Sequence, residues 1–207
     1  MDVTNAIMTR RSVRWYTREP VPAGVVDDLL HSAILAPSAH NRQPWRFAVL
    51  IDTDAKRHLA KAMAARLRHD RLGDGDAVES VDADAGRSAK RIVEAPVVIV
   101  VSATMTLMDR YPDARRAEAE RLAAIQSTAM ATQNLLLAAH GRGLGACILC
   151  APLFCPAEVI EALELPADWM PQTLVTIGWP LQQGRERPRR PIDEVTLRIL
   201  GVRTARD

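Results

Sequence analysis

The sequence predicts a layered α+β domain, and two observations lead to that class. Four short apolar stretches have the length and composition of strands: 46–51, 97–102, 146–150 and 173–178. Longer stretches with apolar residues at three- and four-residue spacing lie between them and predict helices. Helices interleaved with four strands in 207 residues favour one core with a mixed sheet. We therefore expect a single domain over 1–207, with an extended C-terminal tail over 185–207.

Composition and charge exclude several classes of protein. Hydrophobic residues make up 48% and charged residues 25%, and the formal charge is only +2, so we expect no nucleic-acid and no membrane partner. The N-terminus lacks a basic start followed by an apolar run, and the longest apolar stretch, 122–139, is interrupted by six polar residues. Three cysteines without a secretory signal predict reduced thiols in a cytoplasmic protein.

The N-terminal elements are a short helix over 3–9, an extended segment over 10–16 and a helix from Pro22 to the residue before Pro37. In the extended segment, Arg10, Ser12 and Arg14 would share one side. Two guanidinium groups beside a hydroxyl can clamp a phosphate or carboxylate, although a solvated basic turn would have the same sequence.

The stretch 36–47 is unusually stiff and polar for a connection. Two prolines fix its backbone, and we expect the residues before them, Ala36 and Gln43, to be extended. Ser38, Asn41 and Gln43 offer hydrogen-bond donors and acceptors. Polar groups on a rigid scaffold are typical of binding sites.

In the middle of the chain, Thr53-Asp54 is expected to cap a helix that runs through Leu67. The stretch 73–86 is acidic, contains glycines and shows no periodicity, so we expect a mobile loop or lid. A long helix over 117–140 follows the second strand. Its second half is apolar nearly all round, which predicts a homodimer with this helix in the interface; a wrapped central helix in a monomer is the alternative.

Sequence motifs for other chemistries are missing. Three cysteines do not complete a zinc site, and no histidine pair has metal-ligand spacing. We expect the thiols of Cys147, Cys150 and Cys155 to be buried like small apolar side chains, and we expect no metal. The chain contains no G-x-S-x-G, G-x-G-x-x-G or G-x-x-x-x-G-K-[ST] motif. The arginine clamp, the stiff loop and an arginine-rich tail instead suit an anionic, partly aromatic ligand, and flavin mononucleotide (FMN) would fit.

Five motifs together resemble the nitroreductase family, in the family's order and over nearly the whole chain. They are Arg-Arg-Ser-Val-Arg at 10–14, Ala-Pro-Ser-Ala-His-Asn-Arg-Gln-Pro-Trp at 36–45, Gly-Leu-Gly-Ala at 143–146, Ile-Gly-Trp-Pro at 177–180 and Pro-Arg-Arg-Pro-Ile-Asp-Glu-Val at 188–195.

The resemblance implies an intertwined homodimer whose central mixed or antiparallel sheet is flanked by helices, with two FMN sites built by both subunits. It implies phosphate contacts from the group Arg10, Arg11, Ser12 and either Arg189 or Arg190, and Arg14 beside the pyrimidine edge. Pro37, Ser38, Ala39 and Asn41 would come from the partner chain. The backbone around Leu149, Cys150 and Ala151 would meet flavin N5. No side chain is expected to be catalytic, because the flavin carries the chemistry.

A narrower resemblance is to the C-terminal FMN domain of deazaflavin-coenzyme γ-glutamyl ligases. It rests on the stretches 63–68, 110–116, 153–155 and 165–169. We expect hydride transfer from NADH or NADPH through FMN to a nitroaromatic, quinone or similar acceptor. The alternatives are a reductase of a dehydro-deazaflavin precursor, a flavin-binding protein without turnover, and a nucleic-acid binder that uses the 185–190 tail.

Overall fold

The structure, a computed structural model, describes residues 1–199; the predicted tail residues 200–207 lie outside the described residues. The α+β class is confirmed. Four strands form one sheet in the order β1-β2-β4-β3, and every neighbouring pair is antiparallel. The strands are β1 (Trp45–Leu50), β2 (Val97–Thr104), β3 (Gly145–Leu149) and β4 (Trp169–Gly178).

Six α-helices surround this sheet in the described part of the chain: α1 (Val3–Thr9), α2 (Ala23–Ile34), α3 (Thr53–Gly73), α4 (Val78–Glu94), α5 (Ala114–Gly141) and α6 (Pro156–Ala162). At residues 1–199, no helix combines the length and the apolar character that crossing a membrane requires. The cap of α3 is Asp52 rather than the expected Thr53-Asp54 pair. Asp52 is extended and its carboxylate accepts a 2.8 Å hydrogen bond from the Ala55 N–H.

The strand β2 lies between two cores and is buried at every position. Val97, Ile99 and Val101 face α2 and α5 on one side of the sheet. Val98 and Val100 face the opposite side, which α3, α4 and α6 cover. Because side chains alternate along a strand, a continuous apolar run is the pattern that a strand covered on both faces requires.

The predicted mobile loop at 73–86 is wrong, because most of this stretch is helical. A tight turn at 74–77 joins α3 to α4, and Val81, Ala85 and Ile92 form the buried face of α4. Ion pairs from Arg68 to Asp82 and from Arg71 to Asp84 connect the two helices. Only these three apolar residues form the buried face of α4, and the exposed face is largely acidic. The helical periodicity of the sequence is therefore weak.

The stiff loop also differs from its prediction at Gln43, which is not extended. Its φ is +50°, and His40 and Asn41 have φ of +47° and +53°. This left-handed region is disfavoured for residues with a side chain, above all before a proline. Local bonds hold the loop, because Ser38 O accepts from the Asn41 N–H at 3.0 Å and Ser38 Oγ accepts from the Gln43 N–H at 3.0 Å.

A buried lysine joins the hairpin of α3 and α4 to the sheet. Lys56 on α3 is 4% exposed, and its Nζ donates a 2.7 Å hydrogen bond to Ala95 O at the junction of α4 and β2. Burial lowers the pKa of this ammonium group, an effect that the nearby carboxylate of Asp52 partly offsets.

We predict that Lys56→Met destabilises the fold by about 1.5–3 kcal/mol, because it leaves a buried carbonyl without its charged donor. Urea unfolding followed by circular dichroism measures the effect, and Lys61→Met on the exposed side of α3 is the matched control. A difference between the two variants below about 0.5 kcal/mol would contradict this role for Lys56.

Candidate functional site

The arginine segment lies along the open edge of β3 and is extended, as predicted. Ser12 pairs with Ala146 in a parallel bridge, and the Val13 N–H donates a 3.0 Å hydrogen bond to Ala146 O. The Val13 side chain covers Gly145 so closely that a Cβ on this glycine would lie 2.6 Å from Val13 Cγ1. The absence of a side chain at Gly145 therefore allows the segment to lie against the sheet.

A cavity of about 320 Å³ lies between this segment and the beginning of the C-terminal tail. The tail is held across it by a 3.0 Å bond from the Leu181 N–H to Trp15 O. Gly184 approaches the segment so closely that a Cβ would lie 2.6 Å from Arg11 Cβ. The lining residues are Arg10, Arg11, Ser12, Val13, Arg14, Trp15, Gln182, Gln183, Gly184, Arg185, Arg187 and Arg189.

The charge of this cavity selects for anions. Its described lining contains six arginines and neither aspartate nor glutamate. The nearest carboxylate in the tail, Glu186, forms a 3.1 Å ion pair with Arg11. A concave site with this excess of guanidinium groups favours a ligand with more than one negative charge, such as a phosphate monoester.

The arginines differ in the hydrogen bonds and ion pairs that they form with the protein itself. Arg11 donates to Met8 O at 2.7 Å and to Arg10 O at 3.0 Å in addition to its ion pair, so it holds the segment to α1 and to the tail. Arg189 lines the cavity. Arg190 lies outside the described lining, and its Nη1 is 3.9 Å from Glu194. The sequence leaves open whether Arg189 or Arg190 contacts the phosphate. The structure brings Arg189, of these two, to the cavity beside the arginine segment.

A second group of cations lies beside β3. Burial raises the pKa of the Cys147 thiol, and the positive charges of Arg14, Arg91 and Arg10 partly offset that shift. Arg91 extends from α4, and its buried Nε has no hydrogen-bond partner among the described residues. On the same helix, Lys90 Nζ lies 5.8 Å from the centroid of the Trp15 ring. The sequence pattern predicts neither residue, because the acidic stretch at 73–86 reads as a loop. The spacing of Val81, Ala85 and Ile92 is the signal that indicates α4.

The stiff loop does not reach this cavity within one chain. Pro37, Ser38, Ala39 and Asn41 are absent from its described lining. The loop instead follows α2 and contacts α5, where the Ala39 N–H donates a 3.2 Å hydrogen bond to Ser127 Oγ. The assignment of these four residues to a partner's site stays a prediction.

The residues predicted beside flavin N5 lie where β3 ends. Leu149 is the last residue of β3, and Cys150 and Ala151 begin a short 3-10 turn over Ala151–Phe154. Cys150 is exposed, so the expectation of a buried thiol is wrong for it and holds for Cys147 and Cys155. The reason is that β3 ends before Cys150, which removes this residue from the sheet.

A family model and two relatives match most of the chain. A model described as the nitroreductase family matches residues 7–179. An NADH dehydrogenase of Thermus thermophilus is 28% identical over 95% of this chain and 96% of its own length. A 5,6-dimethylbenzimidazole synthase of Rhodospirillum rubrum is 32% identical over 84% of this chain and 80% of its own length.

Solved structures show the same fold. A protein of Desulfovibrio desulfuricans, described as a nitroreductase in complex with FMN, superposes with a TM-score of 0.74 at 30% identity, over 98% of this chain and 99% of that one. A BluB-like flavoprotein of Clostridium difficile has a TM-score of 0.76 at 24% identity, over 96% and 99% of the two chains, and shows likeness of fold alone. Because the family model covers most of the sequence, including the arginine segment and the whole sheet, the chain belongs to the nitroreductase family.

Proposed function

We propose that the protein transfers hydride from NADH or NADPH, through FMN, to an organic acceptor in a ping-pong cycle. Family membership makes it an oxidoreductase, and the FMN-bound and NADH-linked relatives support FMN as the cofactor and NAD(P)H as the electron donor. The observation in this chain that carries the proposal is the arginine cavity beside β3. It supplies the anion site that a phosphorylated cofactor needs in a sequence without a glycine-rich phosphate loop.

The described residues fit FMN by charge and by unused hydrogen-bonding capacity. Arg10, Ser12 and Arg189 would hold the phosphate, with Arg11 keeping the clamp in shape through its bond to Glu186. Arg14 would lie by the pyrimidine edge of the ring. The buried Arg91 Nε, which lacks a partner among the described residues, is a donor that a ring oxygen or nitrogen could use. A tail that crosses the cavity at Gly184 would cover the bound phosphate.

FMN supplies the two-electron chemistry, and the protein supplies position and charge. The cations near Cys147 would stabilise negative charge on the reduced cofactor. Leu149, Cys150 and Ala151 would present backbone groups to the reacting edge. No side chain has to act as an acid or a base in the exchange of hydride between donor and cofactor.

The second part of the proposal is a homodimer. Between residues 122 and 139, α5 has no charged side chain. In one chain, Leu122, Gln126, Ala129, Met130 and Gln133 are exposed along one face of this helix. Leu122 is 46% and Met130 is 40% exposed. An uncharged, partly apolar face on a central helix is typical of a subunit interface, and the neighbouring loop with Pro37, Ser38, Ala39 and Asn41 would then reach the partner's cofactor.

The described tail supports the same assembly. Ile192, Val195, Leu197 and Ile199 are each more than 60% exposed in one chain. The tail is not extended throughout, because Ile192–Val195 forms a 3-10 turn. Exposed apolar side chains gain stability only when another surface covers them. A second subunit would provide that surface.

The acceptor would be a nitroaromatic, a quinone or a similar molecule. A dehydro-deazaflavin precursor is the alternative acceptor, supported by the stretches that resemble deazaflavin-coenzyme ligases. A flavin-binding protein without turnover is the alternative from another class.

Anaerobic reduction of the purified protein tests the function. We expect the flavin absorbance band of the holoenzyme to bleach on addition of NADH or NADPH and to return when a quinone is added. The donor alone must cause the bleaching, because a ping-pong cycle separates the two half-reactions. If neither nucleotide bleaches the flavin band, the proposed reductase activity is refuted and the alternative of a flavin-binding protein without turnover is left.

We predict that Arg10→Ala weakens FMN binding about ten- to hundredfold, because it removes a charge-assisted hydrogen bond of about 1.5–3 kcal/mol. Arg190→Ala is the matched control, since that arginine lies outside the cavity lining. Fluorescence titration of the apoprotein with FMN measures both constants. Equal affinities in the two variants would remove Arg10 from the phosphate site.

We predict that Met130→Arg converts the dimer to monomers and lowers FMN occupancy, because it places a charge in an uncharged interface and separates each cavity from its partner's loop. Leu72→Arg on α3, at a residue of similar exposure (37% against 40%), is the control. Sedimentation velocity measures the mass of each protein. A monomeric wild-type holoprotein would refute the assembly.

A further inference from the structure

Tyr16 lies where the two walls of the arginine cavity meet. One wall is the arginine segment, and the other is the beginning of the C-terminal tail. The backbone of Tyr16 forms an antiparallel bridge with Pro180, and next to it the Leu181 N–H donates a 3.0 Å hydrogen bond to Trp15 O. The residue therefore joins the two walls through the main chain.

The side chain of Tyr16 reaches back to the middle of the arginine segment. Its ring occupies the space that the absence of a side chain at Gly178 leaves, because a Cβ there would lie 2.9 Å from Tyr16 Cγ. The phenol oxygen lies 2.7 Å from Val13 O and 3.0 Å from Thr176 O on β4. Thr176 Oγ1 is 2.7 Å from the same phenol oxygen. One hydroxyl group thus joins the arginine segment to the sheet.

The directions of these hydrogen bonds follow from the number of protons. Both carbonyl oxygens can only accept, so the phenol donates its single proton, and Val13 O is the nearer acceptor. The Thr176 hydroxyl can then donate to the phenol oxygen. Burial raises the pKa of Tyr16 well above its ordinary value, although the hydrogen bond to Thr176 partly offsets that shift. The phenol therefore keeps the proton that Val13 O accepts.

This contact completes the fixation of Val13. Its N–H donates to Ala146 O at 3.0 Å, and its side chain packs on Gly145. Without the phenol, the carbonyl group of Val13 would lose its donor, and the backbone on either side of it could shift. A phosphate held between two walls is sensitive to such a shift, because charge-assisted hydrogen bonds weaken when their distances and angles change.

We propose that Tyr16 is a positioning residue for the cofactor, whose hydroxyl holds the arginine segment at the distance from the tail that a bound phosphate group requires. It acts through Val13 and is absent from the described lining of the cavity. The inference rests on the proposed function and deepens it. It separates the residues that would bind the phosphate from the residue that holds them in place.

Riboflavin, which lacks the phosphate of FMN, distinguishes an effect on the anion site from a general effect on the fold. The apoproteins are titrated with each flavin, and flavin fluorescence measures both dissociation constants. We expect Tyr16→Phe to weaken FMN binding about five- to tenfold and riboflavin binding less than about twofold, since one hydrogen bond is lost at the anion site.

Tyr111→Phe is the matched control. Tyr111 is the other tyrosine of the chain, its ring is exposed, and its hydroxyl has no hydrogen-bond partner among residues 1–199. We expect this variant to bind both flavins with the wild-type affinities.

A second variant, Thr176→Val, keeps the phenol and removes the hydroxyl that supports it. We expect it to weaken FMN binding about threefold, with riboflavin again unaffected. The double variant should bind FMN as weakly as Tyr16→Phe alone, because both substitutions act through one chain of hydrogen bonds. Thr176→Val also decides the matter if Tyr16→Phe does not fold.

The proposal is overturned if folded Tyr16→Phe binds FMN as tightly as the wild type, or if it loses equal affinity for FMN and riboflavin. Should Tyr16→Phe not fold, an unchanged FMN affinity of Thr176→Val overturns it. A wild type that binds no FMN refutes the proposed function instead. Calorimetric titration of the same apoproteins with pyrophosphate then still decides whether Tyr16 positions the anion site.

Discussion

The docking of an arginine segment on the edge of β3 is the contact on which the candidate site depends. One backbone bond, from the Val13 N–H to Ala146 O, and the close packing of Val13 on Gly145 fix its distance from the sheet. This contact places guanidinium groups from residues 10–14 opposite those of the tail. Without it, the same arginines would be solvated side chains on a flexible N-terminus, where surface charges contribute little.

The sheet gives this contact its rigidity. Because β2 is buried on both faces, the two helical layers on either side of it are fixed relative to each other. The hairpin of α3 and α4 belongs to one layer and carries Arg91 and Lys90 toward the arginine segment. The central helix α5 belongs to the other layer and carries the uncharged face. The arginine segment meets both layers, since Thr9 Oγ1 at its beginning lies 2.8 Å from His140 Nε2 at the end of α5.

Much of the fold could be predicted from local patterns. The four strands and the helices α1, α2 and α5 can be predicted from apolar runs, prolines and three-four spacing. The arginine segment could be treated as extended because Pro20 and Pro22 end it, and extended backbone brings Arg10, Ser12 and Arg14 to one side. Where an element buries only a few residues, as α4 does, the periodicity is too sparse to predict a helix. The left-handed conformation of Gln43 could not be predicted, because its hydrogen bond to Ser38 Oγ, rather than its own preference, determines that conformation.

The apolar cavity between α3, α4 and the turn at 151–155 could not be predicted from the sequence at all. Alanines of the consecutive helices α3 and α4 and of a turn far along the chain line it, and an alanine in a helix carries no signal of an unfilled space beside it. Likewise, the sequence could not choose between Arg189 and Arg190, because an irregular tail has no periodicity from which to infer direction. Tertiary contacts alone, such as the close approach of Gly184 to Arg11, determine which arginine lines the cavity.

The crossing of the tail over the arginine segment has a consequence for how the molecule is held together. Arg11 and Glu186, which meet there, are 175 residues apart in the chain. An anion bound between the two segments would act as a removable crosslink that closes a loop of almost the whole polypeptide. The binding free energy of the anion would then add to the free energy of unfolding. The melting temperature of the loaded protein would therefore rise with the ligand concentration.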